Sequence, residues 1–342
     1  MPNTLTHSIE PLPVKCVLIS MYEFESDDPG EFQYFKEAEG LEKTHDFSYG
    51  QDGIWSNDAG LVALTIGIGA AKAASTTMAF GLDPRFDLTH AYFLIAGIAG
   101  INPRFGSLAC TAWADYCVDG DLAHEIDVRE IPPAWSTGIL PLGCDTPYSQ
   151  RSKKAADMFL NSELYTLNSN LSDWAYKKTR SLDLSDLDND LLASYRNRYL
   201  DFPEAQRPPF ILKGDNLSAT RYWHGKLSNQ WAERWVEFWT HEKGRFVTST
   251  MEDAGTLRAL YQLATAHKID WDRILLLRSA SNFTMQAPDG MTPLQSLRGG
   301  SDGDGNLFPG YIPSLRSLQR VGSKVIHEII KNWARFKITP PT

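Results

Sequence analysis

The chain has 342 residues, of which 42% are hydrophobic and 22% are charged, and its formal net charge is −9. This composition predicts a globular protein with a sizeable core and excludes disorder as its main state. The negative charge gives no general support for binding a phosphate backbone, so nucleic acid is not an expected partner. We expect a single domain over residues 1–342, formed by a large α/β fold that carries a helical insertion.

The cysteines and the apolar stretches bear on metal binding and location. Cys16, Cys110, Cys117 and Cys144 are widely spaced and show no C-x-x-C motif, so we expect four reduced thiols and no metal site. The amino-terminal residues lack the basic and apolar regions of a secretory signal. The most apolar stretch, residues 91–101, is far shorter than the roughly 20 residues of a membrane helix. We therefore predict a cytoplasmic protein without membrane insertion.

The first half of the chain alternates strand and helix patterns. Residues 14–21 form an apolar, β-rich run that predicts a buried strand opening into a polar loop. Residues 61–67 predict a second strand, and the alanine-rich segment 70–82 predicts a helix that ends at glycine and proline. Residues 91–97 supply the next strand. Strand, glycine turn and helix indicate the beginning of a βαβ unit.

The second half begins with a polar, helical pattern. We interpret residues 149–200 as a helical insertion, with "ADMFLNSELYTL" and "DLLASYRNRYL" as amphipathic helices and no strand between them. "FPEAQRPPFILKGD" then restarts the sheet. A helix over residues 229–240 carries a tryptophan stripe that is typical of a core or a subunit interface. A late strand at 272–281 and a C-terminal helix complete a three-layer α/β fold with a mixed sheet.

Small and polar residues follow several of these predicted strands. Gly97, Ala99 and Gly100 end a strand with little side-chain bulk, which would let a ligand approach the backbone. Glu252 and Asp253 follow the run "FVTSTM", where they serve either the first turn of a helix or a polar site. Ligands of open α/β sheets gather at the carboxyl ends of strands, so we expect these segments to converge on one site.

Several longer motifs resemble one family over most of the chain. "GLDPRFDLTHAYFLIAGIAGINP", "WADYCVDGDLAHEIDVREIP", "GDNLSATRYWHG", "TMEDAGTLRAL" and "RSASNF" occur in the order typical of the purine nucleoside permease family. That family is similar to the nucleoside phosphorylase and nucleosidase superfamily. The resemblance implies a three-layer α/β/α fold, a homo-oligomer and cleavage of the N-glycosidic bond of purine nucleosides such as inosine, guanosine or adenosine.

The resemblance also implies roles for individual residues. Gly97, Ile98 and Ala99 resemble the glycine-rich strand end beside the sugar. In "TMED", Met251 would pack on ribose and Glu252 would accept hydrogen bonds from its hydroxyl groups. In "RSASN", Asn282 takes the place of the base-recognition residue, and its amide both donates and accepts hydrogen bonds to the purine edge.

The nucleophile separates hydrolysis from phosphorolysis. Hexameric phosphorylases carry arginine and serine or threonine near the glycine-rich strand end, where this chain has Ile95 and Ile98. Nucleosidases carry a water-orienting glutamate after the first strand, and either Glu23 or Glu25 resembles it. We favour a nucleosidase that needs no cofactor. The alternatives are a purine nucleoside phosphorylase with phosphate as co-substrate, or a non-catalytic nucleoside-binding protein that supports transport.

Overall fold

The protein's structure, a computed structural model, describes residues 10–24, 28–50, 53–149, 154, 158, 162–299 and 308–342. The strands are β1 (Leu12–Pro13), β2 (Cys16–Ser20), β3 (Lys43–His45), β4 (Ile54–Ser56), β5 (Leu61–Thr65), β6 (Phe86–Asp87), β7 (Tyr92–Ile101), β8 (Thr111–Ala114), β9 (Tyr116–Asp119), β10 (Ala123–Glu125), β11 (Ile139–Pro141), β12 (Leu164–Thr166), β13 (Ile211–Lys213), β14 (Asp215–Ser218), β15 (Phe246–Thr250) and β16 (Ile274–Phe283). The α-helices are α1 (Gln33–Ala38), α2 (Ala70–Gly81), α3 (Ser169–Thr179), α4 (Asp190–Arg196), α5 (Lys226–Trp239), α6 (Asp253–Thr265), α7 (Pro293–Leu297), α8 (Tyr311–Lys331) and α9 (Trp333–Phe336).

Twelve of the described strands form one mixed central sheet. Its main path runs β12-β9-β14-β15-β7-β2-β5-β4-β3, and β16 pairs with both β7 and β8. β2 is parallel to β5 and β7, and β16 is parallel to β7, whereas β15 is antiparallel to β7. The long strands β7 and β16 therefore form the centre of the sheet.

Helices cover both faces of this sheet. Along β2, Val17 and Ile19 pack in one apolar cluster with α2 and α6, whereas Cys16 and Leu18 pack on the other face with α8. Alternate residues of a strand point to opposite faces, so an apolar run such as β2 requires cover on both sides. The result is the expected three-layer α/β/α arrangement.

The predicted strands and helices of the sheet layers are confirmed, with longer or shorter ends. Strand β7 continues to Ile101, beyond the predicted end, and its last residues pair with β15 and β16. Trp231 and Trp235 of α5 are buried in a core cluster of the same chain. The tryptophan stripe therefore contributes to the core of the chain, and the homo-oligomer stays a prediction.

The segment predicted as a helical insertion is only partly helical. Leu164–Thr166 forms the edge strand β12, which pairs antiparallel with β9, although no strand was expected there. Pairing satisfies the backbone of β9, and Tyr165 is buried against the core, so tertiary contacts override the local helical pattern. Helix α4 lies inside "DLLASYRNRYL", as predicted.

Helices α2 and α6 pack closely at Gly255, and this contact gives a first prediction. A Cβ atom at Gly255 would collide with the Ala70 carbonyl oxygen and lie 2.7 Å from its carbonyl carbon. Because backbone atoms cannot turn aside, we expect Gly255→Ala to lower the free energy of unfolding by about 1–3 kcal/mol in urea titrations. The control Gln262→Ala, on the exposed side of α6, should change it by less than about 0.5 kcal/mol. Equal stabilities of the two variants would contradict the close contact.

Candidate active site

A cavity lies where the ends of several strands and the following loops meet. The cavity has a volume of about 140 Å³ and is partly open to solvent. Its described lining comes from the loops after β2, β5 and β14 and from the ends of β7, β15 and β16. The lining residues are Tyr22, Glu31, Ile68, Ile98, Ala99, Gly100, Ala219, Arg221, Tyr222, Trp223, Ser249, Thr250, Met251, Glu252, Ser281, Asn282, Thr284 and Phe308.

A buried ion pair lies directly behind this cavity. Arg278 of β16 donates from Nε to Asp253 Oδ2 at 3.0 Å, from Nη2 to Asp253 Oδ1, and from Nη1 to the Ile98 carbonyl oxygen at 3.1 Å. Asp253 also accepts hydrogen bonds from Asn216 and Thr250. Asp253 does begin α6, but its carboxylate is engaged by these partners. Asp253 therefore takes part in the buried ion pair in addition to beginning the helix.

Glu252 stands beside this pair and faces the cavity. Its side chain is 6% exposed; Oε1 accepts a hydrogen bond from the Gly69 amide at 3.3 Å, and Oε2 lies 3.9 Å from Arg278 Nη2. Burial raises the pKa of Glu252, Arg278 opposes the rise, and the Asp253 charge adds to it. A carboxylate here can accept further hydrogen bonds from a ligand in the cavity.

Glu31 is the cavity carboxylate that the sequence analysis missed. It is 3% exposed; Oε1 accepts from the Ile98 amide at 2.7 Å, and Oε2 accepts from the Met21 amide at 2.8 Å. Burial raises the pKa of Glu31 to about 8, against the opposing effect of Arg278. Glu31 lies ten residues after Met21 in the chain, so the sequence did not indicate that it belongs to the strand end. Hydrogen bonds to Met21 and Tyr22 bring it back there.

Two glycines of β7 make room for these groups. A Cβ at Gly97 would collide with Arg278 Nη1 and lie 2.9 Å from Glu31 Oε1. Gly97 does not line the cavity, so its lack of a side chain accommodates protein groups rather than a ligand. A Cβ at Gly100 would lie 3.2 Å from Asn282 Nδ2, and Gly100 does line the cavity.

The structure places Glu23, one of the two predicted acids of the β2 loop, outside the cavity lining. Glu23 does not line the cavity, and its carboxylate accepts hydrogen bonds from the amides of Gly30, Phe32 and Gln33. Glu25 lies outside the described residues. Glu23 and Glu31 are therefore carboxylates of the same loop with different surroundings.

Asn282 lies in the cavity wall because β16 is irregular there. The pairing register with β7 shifts between Ala280 and Asn282, so Ser281 and Asn282 both line the cavity. Asn282 Oδ1 accepts from Ser281 Oγ at 2.8 Å, and Nδ2 donates to the Phe283 carbonyl oxygen at 3.0 Å. These bonds fix the amide, which also forms a hydrogen bond with the side chain of Tyr222.

The remaining predicted residues divide between the cavity and the core. Met251, Ile98 and Ala99 line the cavity as expected, whereas Ile95 is buried in the apolar core. Among the lining residues that the structure describes, Arg221 is the only cation, and it pairs with Glu125 at 3.0 Å on the surface. The ionic groups around the cavity floor are thus mainly acidic.

Solved structures show the class of fold. A Helicobacter pylori 5'-methylthioadenosine/S-adenosylhomocysteine nucleosidase mutant with 5'-methylthioadenosine in its active site is 13% identical, with a TM-score of 0.54 over 92% of this chain and 99% of that one. Futalosine hydrolase of the same species is 12% identical, with a TM-score of 0.52 over 92% and 98% of the chains. The fold is nucleoside phosphorylase-like.

Sequence relatives identify the family. The purine nucleoside permease family matches residues 13–340. A protein named probable purine nucleoside permease of Schizosaccharomyces pombe is 32% identical over 79% of this chain and 76% of its own length. Purine nucleoside permease of Candida albicans is 29% identical over 80% of this chain, and the match covers 64% of that protein. The chain belongs to the purine nucleoside permease family.

Within the described residues, none of the helices combines the length and the apolar character needed to cross a bilayer.

The ion pair between Arg278 and Asp253 gives a second prediction. Asp253→Asn removes the bidentate anionic partner of a fully buried guanidinium, so we expect the free energy of unfolding to fall by about 3–5 kcal/mol in urea titrations. The control Asp58→Asn removes an exposed partner of Lys43 and should cost less than about 1 kcal/mol. An Asp253→Asn protein as stable as the control would show that the pair is not structural.

Proposed function

We propose that the protein cleaves the N-glycosidic bond of purine nucleosides by hydrolysis. The observation that carries the proposal is the position of Glu31: a buried carboxyl group, held by two amides beside Arg278, lines the same cavity as Glu252 and Asn282. The family membership and the nucleosidase-like fold support a purine nucleoside as substrate.

Each part of the nucleoside has a partner in this proposal. Met251 packs on the ribose, and Glu252 accepts hydrogen bonds from its hydroxyl groups. The Asn282 amide donates and accepts hydrogen bonds at the N7 and six-position edge of the purine, which takes the place of Tyr222 as its partner. Glu31, instead of Glu23 or Glu25, holds the attacking water on the face of the sugar opposite the purine.

The reaction follows from these positions. Glu31 takes a proton from water while the oxygen attacks C1′ of the ribose, and the C1′–N9 electron pair leaves with the purine. The departing purine takes up a proton from solvent, and Glu31 later returns its own proton to solvent, so the products are free base and ribose. Positive charge develops on the sugar in the transition state, where Glu252 and Glu31 stabilise it electrostatically.

The charges of the cavity favour water over phosphate. A phosphate ion placed beside Glu31 and Glu252 would meet two acidic groups, while Arg278 is already paired with Asp253. Ile98 offers no side-chain donor, and its amide is bound to Glu31. Phosphorolysis, with phosphate as co-substrate, is therefore the weaker alternative. No other cofactor is part of the proposal.

The permease names of the relatives favour a second candidate, a binding protein that supports nucleoside transport without cleavage. Such a protein would keep Met251, Glu252 and Asn282 for affinity but would not need a proton acceptor. Glu31 distinguishes the two candidates.

The third prediction tests cleavage directly. The purified chain incubated with inosine, guanosine or adenosine should release free base and ribose equally with and without phosphate. We expect Glu31→Gln and Glu252→Gln each to lower kcat/KM roughly 100-fold or more, about 2.7 kcal/mol, because one loses the proton acceptor and the other the charge at the ribose. The control Glu204→Gln alters a surface pair with Arg207 and should leave kcat/KM unchanged.

Three other outcomes would decide against hydrolysis. Formation of ribose 1-phosphate only in the presence of phosphate would identify a phosphorylase. Nucleoside binding in calorimetry without release of base would identify a binding protein. Full activity of Glu31→Gln would remove the proposed proton acceptor.

The fourth prediction concerns pH. Glu31 accepts a proton only when ionised, and burial raises its pKa to about 8. The value of kcat/KM should therefore rise with pH and level off above pH 8, falling about tenfold for each unit below it. The residual activity of Glu31→Gln should lack this limb. An acid limb near pH 4.5, the range of an ordinary glutamate, would contradict the assignment.

A further inference from the structure

The loop after β2 is closed by the carboxylate of Glu23. Glu23 Oε1 accepts a hydrogen bond from the Gly30 amide, and Oε2 accepts from the amides of Phe32 at 3.0 Å and Gln33 at 2.7 Å. These donors lie one residue before Glu31 and one and two residues after it. A single carboxylate thus binds the backbone on both sides of Glu31.

Gly30 allows this close approach. A Cβ atom at Gly30 would lie 2.7 Å from Glu23 Cα and 2.8 Å from both Glu23 Oε1 and the Tyr22 carbonyl oxygen. Any side chain at this position would push the two arms of the loop apart. The contact is therefore built from a glycine and a carboxylate together.

Glu31 is also tied to the rest of the site. Its amide donates to the Tyr22 carbonyl oxygen at 3.0 Å, and its carboxyl oxygens meet the amides of Met21 and Ile98. These hydrogen bonds can form only if the backbone of residues 30–33 lies close to the end of β2. Glu23 supplies charge-assisted hydrogen bonds that hold it there.

We propose that Glu23 is a positioning residue, which sets the place of the Glu31 carboxyl group at the cavity by binding the backbone on both sides of it. This inference rests on the proposed hydrolysis for its kinetic consequence but not for its geometry. Glu23 is not among the residues that line the cavity, so we infer that it acts through Glu31.

Loss of Glu23 should affect the chemical step more than nucleoside binding. In Glu23→Gln, an NH₂ group replaces one of the carboxylate oxygens that accept hydrogen bonds from the backbone amides. Two donors then face each other, which pushes the two arms of the loop apart. Met251, Glu252 and Asn282 keep their places on other elements. We expect kcat to fall roughly 10- to 100-fold, because small displacements of a reacting group have effects of this size, while KM changes by less than about twofold.

A titration of Glu31 reports its position without any need for activity. The side-chain carboxyl ¹³C signal of Glu31, assigned by its absence in Glu31→Gln, is followed against pH in the wild type and in Glu23→Gln. We expect the midpoint to move down by at least about 0.5 pH unit as Glu31 leaves its buried place, both in Glu23→Gln and in Glu23→Asp, which keeps the charge and so excludes the direct effect of removing it. Four titratable groups of the described structure face Glu31, and none of them is substituted in any of these proteins. They are Tyr22, Glu252, Arg278 and Tyr311.

Two controls separate positioning from general destabilisation. Asp87→Asn removes a carboxylate that accepts the Thr89 amide, next to the amino end of β2 and away from the cavity, and should move neither kcat nor the midpoint. In the Glu31→Gln background, Glu23→Gln should cause no further fall in rate, because the two residues act in series. Glu23→Asp, which keeps the charge but shortens the side chain, serves if the glutamine variant does not fold, with the same expected shifts.

The outcomes distinguish the two proposals. An active wild type whose Glu23→Gln variant keeps both kcat and the Glu31 midpoint would overturn the positioning role and leave hydrolysis intact. A wild type that cleaves no nucleoside, but whose Glu31 midpoint moves in Glu23→Gln, would refute hydrolysis and support the positioning.

Discussion

The site depends on one buried cation. Arg278 follows four apolar residues of the fully buried strand β16 at the centre of the sheet and is 1% exposed, so its charge requires partners inside the protein. Asp253 pairs with it directly, and Glu252 Oε2 lies 3.9 Å from Arg278 Nη2. The Ile98 carbonyl oxygen accepts a hydrogen bond from Nη1 of the same guanidinium. Strand β7, strand β16 and the start of α6 are thereby held in one arrangement, and the cavity lies in front of them.

The same cluster contains more negative than positive charge. Glu31, Glu252 and Asp253 surround a single guanidinium, and burial raises the pKa of both Glu31 and Glu252. A group whose folded-state pKa is raised binds protons more strongly when folded, so its contribution to stability falls as pH rises through that pKa. The arrangement is unfavourable for the free protein, but under the proposed hydrolysis it would suit a sugar that becomes positive. We interpret it as stability given up for electrostatic complementarity to the transition state.

Close backbone packing makes these positions possible. Gly97 leaves room for Arg278 and Glu31 beside β7, and Gly255 lets α6 approach the first residue of α2. That approach brings the Gly69 amide within 3.3 Å of Glu252. Glycine in these places is needed for the helix and strand contacts that orient the carboxylates, although the sequence pattern indicated room for a ligand at Gly97.

Much of the fold and part of the site could be predicted, because strand ends are marked locally by small and polar residues. Met251, Glu252 and Asn282 follow such ends and do line the cavity. Glu31 could not be found this way, since its place depends on a loop closed by hydrogen bonds that composition does not reveal. A stronger signal was available in "ILLLRSAS": a lone arginine in a buried run requires a buried acid, and Asp253 beside Glu252 was a nearby candidate. An isolated charge in a buried run therefore predicts a buried partner of opposite charge.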